Sequence, residues 1–511
     1  MILFLPVGVL LVRRRQPARR DAWRVGVLIV GASLCAHPVR AVMCVGDCDL
    51  NGVVTSLEHG TAEAIMAGQL SIDACPALDA NDDHTVSPDE FAAASNAALN
   101  GCGGPAPVNV AAAPPSATTT LPPVADFNGD GFADLAVVNA NGNSVSIFLG
   151  SSSGLSAAVS QTLTGTADNP LRSPRGIALG DFDGDGVTDI TVANFAGASV
   201  SVFLGNQNPT TQKGDGTFTD PINVNLAAGP LAVAAGRFHG PTQPLDLAVV
   251  IAQNGPRTRL GSVSMLRGNG DGTFALSGTV TAGREPRHIV VADFGTGPKN
   301  STRDGKLDIG VTLGGEGATA LLYGDGSGGL SAPDKYGAGQ APDGIALGDF
   351  NSDGCLDVAT THHGNPLTDG SVVNFVAINH AACRVGFGGL LNATSGLNME
   401  FGADSHPTGI TAVQLNGDTK VDLALADAAA NTVMLLTNQS TPGTFFVNFD
   451  PAVVCPTGQS PHGVAAGDFN GDGTDDVAVA NRDSDDVSVF SGDGSGAVCP
   501  PSVRIPVPVI P

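Results

Sequence analysis

The chain has 511 residues, with 68 Gly, 34 Pro and only 14% charged residues, a composition that suits many short strands joined by tight turns and argues against long helices or coiled coils. Its formal net charge of −25 repels phosphate backbones, so nucleic acid is not an expected partner. The length exceeds one ordinary core, but closed β architectures absorb several hundred residues in one unit.

At the N-terminus, Arg19, Arg20 and Arg24 precede the apolar stretch VGVLIVGASLCA (25–36), and RAVM (40–43) follows it. This order predicts that residues 1–41 are an export leader, with cleavage between 36 and 43; an uncleaved anchor is the competing reading. The opening run MILFLPVGVLLV is too short to cross a bilayer, so no stable membrane span is expected once the leader is gone. The leader holds seven Arg and one Asp, which makes the rest of the chain more acidic still. Beyond Cys35 lie Cys44, Cys48, Cys75, Cys102, Cys355, Cys383, Cys455 and Cys499, an even set in local clusters that suits disulfides in an oxidising compartment. Their pairing stays open. The expected location is secreted or cell-surface.

Residues 44–102 carry two twelve-residue acidic loops. In the first, Asp47, Asp49, Asn51, Thr55 and Glu58 stand at positions 1, 3, 5, 9 and 12, with Gly52 at position 6 for the sharp turn. In the second, Asp79, Asn81, Asp83, Ser87 and Glu90 repeat the pattern with His84 in place of that glycine. Helices are predicted over 57–69 and 88–99, with Pro88 suited to a first turn. The pair resembles dockerins and related EF-hand modules, which implies calcium and docking to a cohesin. The loops differ at positions 10 and 11 (Ser56 and Leu57 against Pro88 and Asp89), which favours a calcium-stabilised structural module over a docking one. Residues 103–123, rich in Ala, Pro and Thr, read as a linker.

From 124 to 511 the chain repeats itself. DFNGDGFADLAVVN begins at Asp126, DFDGDGVTDITVAN at Asp181, DFNSDGCLDVATTH at Asp349 and DFNGDGTDDVAVAN at Asp468. Worn copies begin at Arg237, at Asp293 with an insertion, and at Gln414, so seven units follow one another at spacings of 54 to 65 residues. Each unit has an upstream Pro-x-x-(Ile/Val) segment such as SPRGIALGDF (173–182), then an apolar strand, then a second strand such as SVSVFLG (199–205). A Gly-Asp-Gly turn such as NGDGTF (269–274) and an extended segment such as PINVNLA (221–227) complete it. Four short antiparallel strands per unit make one blade, and a ring of seven hides the sheet edges. The predicted fold is mainly β: a seven-bladed β-propeller preceded by the small α-helical EF-hand module.

The unit resembles the FG-GAP/VCBS repeat of integrin α-chain heads and bacterial surface proteins. That resemblance implies a calcium ion in the loop between the first two strands of a blade, and a largely non-enzymatic binding role. The residues support it independently: a hard divalent cation needs six to eight oxygens, and a D-x-(D/N)-x-D-G-x-x-D loop wraps them about one point. The predicted ligands are Asp126, Asn128, Asp130 and Asp134; Asp181, Asp183, Asp185 and Asp189; Asp349, Asn351, Asp353 and Asp357; and Asp468, Asn470, Asp472 and Asp476. Polar turns at strand ends are the plainer alternative. In the worn third copy Arg237 is expected to pair with Asp246 in place of an ion. The fourth (Asp293, Asp304, Asp308) and sixth (Asn416, Asp418, Asp422) are left open. Phe127, Phe182, Phe238, Phe294, Phe350 and Phe469 follow the first loop position and are assigned to packing between sheets.

No catalytic constellation stands out, and HExxH does not occur. THHGN (361–365) is expected to be a surface loop after the second strand of blade 5, and His406 and His462, near the Pro-x-x-(Ile/Val) positions, look interchangeable with Arg175 and Asp343. The expectation is a non-enzymatic, calcium-loaded binding or adhesion module with a protein or glycan partner at the cell surface. A lectin is the alternative, lowered because Trp23 lies in the leader and Tyr323 and Tyr336 are the only tyrosines; a polysaccharide-degrading enzyme ranks below it.

Overall fold

The computed structural model describes residues 110–111 and 126–507, apart from 157–159, 167–169, 253–259, 296–303, 353–355, 367–371, 380–398, 402–404, 442–446, 497–498 and 500–501. The leader, the EF-hand pair from Asp47 to Glu90, Cys355, Cys383 and Asp353 lie outside the described residues.

Seven four-stranded antiparallel sheets follow one another along the chain, each built from strands close in sequence. This is the seven-bladed propeller. The innermost strands are Val110–Ala111, Pro174–Gly180, Pro230–Gly236, Pro286–Ala292, Pro342–Gly348, Pro407–Val413 and Pro461–Gly467. The first of these comes from the stretch whose composition reads as linker. The second strands are Leu135–Asn139, Asp189–Asn194, Asp246–Ile251, Asp308–Leu313, Asp357–Pro366, Asp422–Asp427 and Asp476–Asn481. The outer strands of blade 2, Ser199–Phe203 and Ile222–Asn225, fall on the predicted segments, with a small hairpin, Gly205–Gln207 against Gly214–Phe218, inserted between them.

Runs such as DITVAN, DLALAD and DVAVAN are buried at every position. Both faces of such a strand lie against neighbouring sheets, so the apolar residues run on without the polar alternation of a half-exposed strand. The inner strands approach closely because they carry glycine: a Cβ on Gly344 would stand 2.3 Å from the Thr408 carbonyl oxygen, and one on Gly409 2.0 Å from that of His462.

The recurring phenylalanines are core, as expected, between 0% and 7% exposed. Each meets the following blade. Phe127 packs edge-on against Phe218 at 5.3 Å between ring centroids, Phe182 against Phe274 at 5.6 Å, and Phe350 lies 6.3 Å from Phe449. The ring closes between blades 7 and 1 without a shared sheet. There Phe469 and Ala478 cluster with Leu135, Val137 and Phe148, and Asp468 O accepts from Ala133 N at 3.1 Å. A disulfide, Cys455 to Cys499, ties the outer strand of blade 6 to the segment entering the last strand of blade 7. Among the described residues no helix is long and apolar enough to cross a membrane.

Candidate metal centres

Each acidic loop runs from the end of the innermost strand to the start of the second and closes on an aspartate buried at the head of that strand, the ninth residue in blades 1, 2, 5, 6 and 7, the tenth in blade 3 and the sixteenth in blade 4. Asp134, Asp189, Asp308, Asp357 and Asp422 are 0% exposed, and Asp246 and Asp476 1%. Burying a carboxylate is costly unless it is hydrogen-bonded. In blade 2, Asp189 Oδ2 accepts from Phe182 N at 2.7 Å and Oδ1 from Gly205 N at 2.8 Å, so one side chain joins the loop's entry, its own strand and the end of the third strand. The same double clamp recurs at Asp134, Asp308, Asp422 and Asp476.

The first loop residue organises the other side. Asp181 accepts from Gly184 N at 2.7 Å and Gly186 N at 3.1 Å, and both glycines hold left-handed φ values of +81° and +86° that other residues adopt only under strain. Asp126 and Asp468 fold their loops the same way. Asp181, Asp183 and Asp189 bring one carboxylate oxygen each within 4.8 Å of one another, and among the described residues no other three acidic, His or Cys side chains do so. Asp185 Oδ1 instead accepts from Val187 N at 2.8 Å.

This crowding has an electrostatic signature. Burial, with the neighbouring loop carboxylates, pushes Asp134, Asp189, Asp308 and Asp476 up to about 7 and Asp422 to about 6, against the two N–H bonds that each receives. A donor set made only of oxygens, several of them ionised, suits a hard cation such as calcium, whose charge would offset both effects.

The loops also connect one blade to the next. The carbonyl of the residue after the first loop position accepts an N–H from the following blade: Phe127 from Gly216 at 3.0 Å, Phe182 from Gly272 at 3.1 Å, Phe238 from Gly328 at 3.1 Å and Phe469 from Ser151 at 3.2 Å. Phe350 accepts from the Asn438 amide at 2.8 Å. Whatever fixes an acidic loop therefore fixes an interface between blades.

The worn copies diverge. In blade 3, Arg237 does not reach Asp246; it donates to the Gln243 carbonyl, and the His239 imidazole meets Asp246 at 2.7 Å. The expectation for Arg237 is corrected: the imidazole two residues on takes the aspartate that closes the loop. In blade 4, Gly305 N and Asp304 N donate to Asp293, and Lys306 N donates to Asp304, so the frame of an intact loop survives the insertion. In blade 6, Gln414 replaces the organising acid, and its Oε1 is buried with no hydrogen bond. Blade 5 retains Asp349, Asn351 and Asp357, with Ser352 at φ +53° in the left-handed position.

A second polar cluster forms at the opposite ends of the innermost strands, which start some 20 Å away at about 3.3 Å per residue. THHGN is not a surface loop, because the second strand of blade 5 runs on to Pro366. His362 is 0% exposed and bonded to Thr360 Oγ1 at 2.7 Å. The His363 ring meets that of His406 from blade 6 at 4.4 Å between centroids, tilted by 58°. Asp343 of blade 5 lies 3.4 Å from Arg287 and 3.6 Å from His288, both of blade 4. Arg287 and the imidazoles of His288, His363 and His406 outweigh burial and hold Asp343 well below the usual carboxylate range. No local motif joins these residues; the one signal in the sequence was that Arg175, Arg287, Asp343 and His462 all follow the proline that opens an innermost strand.

The family described as FG-GAP-like repeat matches residues 126–192, 302–360 and 414–479, so the chain carries FG-GAP-like repeats. No curated protein matches it. Among solved structures it is similar to a functionally unknown protein from Desulfotomaculum acetoxidans DSM 771, at 11% identity and a TM-score of 0.46, over 73% of this chain and 99% of that one. It is similar to an Agrocybe aegerita lectin that recognises non-reducing terminal N-acetylglucosamine, at 19% identity and a TM-score of 0.46, over 78% and 94%. It is also similar to the periplasmic gluconolactonase PpgL of Pseudomonas aeruginosa, at 15% identity and a TM-score of 0.46, over 71% and 92%.

Proposed function

We propose that this propeller of FG-GAP-like repeats is an exported, calcium-stapled binding module, which holds a macromolecular partner at the cell surface and does not transform it. The observation that carries the reading is the double clamp on the ninth aspartate. Its oxygens are engaged by backbone N–H groups and tie together the strands of one blade, and the phenylalanine it clamps accepts through its carbonyl from the next blade, which is the work of a structural ligand and not of a catalyst. Residues able to hold calcium are Asp126, Asn128, Asp130 and Asp134 in blade 1, Asp181, Asp183, Asp185 and Asp189 in blade 2, Asp349, Asn351 and Asp357 in blade 5, and Asp468, Asn470, Asp472 and Asp476 in blade 7. The frame formed by Asp293, Asp304 and Asp308 extends the reading to blade 4. Calcium would supply the positive charge about which the loop carboxylates gather.

Thermal melting tests this. A ligand that binds only the folded state contributes about 2.7 kcal/mol at a hundredfold excess over its Kd. Several such sites should lower Tm by on the order of 10 °C when EDTA replaces calcium. An unchanged Tm in EDTA contradicts the proposal.

Acidity offers a second check. In the metal-free chain the raised aspartates bind protons more tightly folded than unfolded, so their contribution to stability is present below the unfolded pKa and is lost as pH rises through about 7. Calcium competes with those protons. The calcium-induced rise in Tm should therefore be larger at pH 8 than at pH 6, and an equal or smaller rise at pH 8 would count against metal on these carboxylates.

Glycan binding is the second reading, favoured by the dense polar mouth at the starts of the innermost strands of blades 4 to 7.

A further inference from the structure

The mouth on the face away from the acidic loops gathers side chains that no element of the calcium reading uses. Arg287, His288, Asp343, His363, His406 and His462 come from four successive blades, and Asp343, His363, His406 and His462 are all half-buried. Five of the six described histidines lie in or beside this group, a concentration that packing alone does not require.

Three ligand classes can be weighed. A transition metal needs three donor atoms close together, yet among the described residues only Asp181, Asp183 and Asp189 bring three within 4.8 Å, and Asp343 is already taken by Arg287. An anion needs unpaired positive charge, but Arg287 pairs with Asp343 and Arg482 with Asp483 at 3.0 Å. Burial also pushes His363 and His462 down to about 4, so they are neutral near pH 7. Asp427, the remaining acid here, is spent on Ser405 Oγ, His406 N, Ala429 N and Ala430 N. What remains is a nearly neutral mouth dense in both donors and acceptors. Arg287 has five N–H donors and ionised Asp343 only acceptors. His462 donates Nδ1–H to the Ser460 carbonyl at 3.0 Å, leaving Nε2 as an acceptor. His363 Nδ1 is shielded and has no hydrogen bond.

Groups that donate and accept at once are hydroxyls. We propose that this axial mouth binds a small neutral sugar or polyol through its hydroxyl edge, with Arg287 donating to it and Asp343 and His462 accepting from it. An aromatic platform has no part in this mode: Tyr323 and Tyr336 face each other, hydroxyl to hydroxyl at 3.3 Å, on the side of blade 4 that packs against blade 5. The site's role rests on the binding-module reading, but its chemistry does not depend on calcium.

The test is ligand-observed NMR and calorimetry on the full chain in calcium, with galactose, N-acetylglucosamine and myo-inositol as neutral probes and with glucuronate and sulfate as anions. At least one neutral probe should bind with a millimolar Kd, and Asp343→Asn and His462→Gln should each weaken it by about tenfold or more, the loss of a hydrogen bond to a charged or fixed acceptor. Leu276→Ser, at a 62%-exposed position on the outer strand Phe274–Arg284 of blade 3, should leave binding unchanged. Normal calcium-dependent melting of each variant shows that it has folded. Any of three results overturns the inference: no neutral probe binding to a protein that still melts cooperatively, binding untouched by both variants, or tighter binding of the anions than of every neutral probe. Sugar binding without any calcium effect on melting would remove the staple and leave the mouth standing.

Discussion

Asp189→Ala should destabilise the propeller in calcium by about 3–6 kcal/mol, because it leaves two buried N–H groups, those of Phe182 and Gly205, without partners at about 1–3 kcal/mol each and also removes a metal ligand. The loss should be smaller in EDTA. Without a cation the buried carboxylate is itself under strain from desolvation and from Asp181 and Asp183, so its removal relieves a cost as well as breaking bonds. Asp189→Asn should fall between, since an amide accepts from one N–H and turns its own donor toward the other. Urea unfolding in calcium and in EDTA gives all the values needed. A change within 0.5 kcal/mol for Asp189→Ala, or equal changes in the two conditions, would mean that this residue neither clamps the loop nor holds an ion.

The second large effect is expected at the closure of the ring. Phe469→Ala removes a 0%-exposed ring that packs with Leu135, Val137 and Phe148 of blade 1, and such a truncation costs about 3–5 kcal/mol. Neighbouring blades elsewhere are joined by a continuous chain. Among the described residues, blades 7 and 1 are held by packing and by the bonds from Ala133 and Ser151 to Asp468 and Phe469. Phe469→Ala should therefore also make the two edges of the ring exchange amide protons earlier than the other blades. Uniform exchange in all seven blades, or a loss under 1 kcal/mol, would show that closure does not depend on this side chain.

Legibility followed repetition. The spacing of the DF-x-x-D units located the blades, the phenylalanines announced the packing between sheets, and an aspartate at the head of an apolar run marked the ninth loop position. These features are local in sequence and recur, so one copy checks another. What could not be read is non-local. Gly216 and Gly272 sit in ordinary-looking Gly-Asp-Gly turns, and nothing near them says that each donates to the preceding blade's phenylalanine carbonyl. His363 and His406 lie 43 positions apart and meet only because the second strand of blade 5 runs on beside the start of the innermost strand of blade 6. Arg237 misled for a simpler reason: charge complementarity with Asp246 is plain in the sequence, but the reach of His239 from the turn is not. Val110–Ala111 pairs with Leu135–Asn139 from within a stretch whose Ala, Pro and Thr content reads as linker, because ring closure demands an innermost strand whatever its propensity.

On the proposed reading, the acidic loops grip divalent cations that tie the blades into one ring. Mass spectrometric metal analysis of the purified chain, dialysed exhaustively against calcium-free buffer, tests it most directly. Four or more calcium ions per molecule are predicted, falling by one in Asp181→Ala; fewer than one ion per molecule would contradict it.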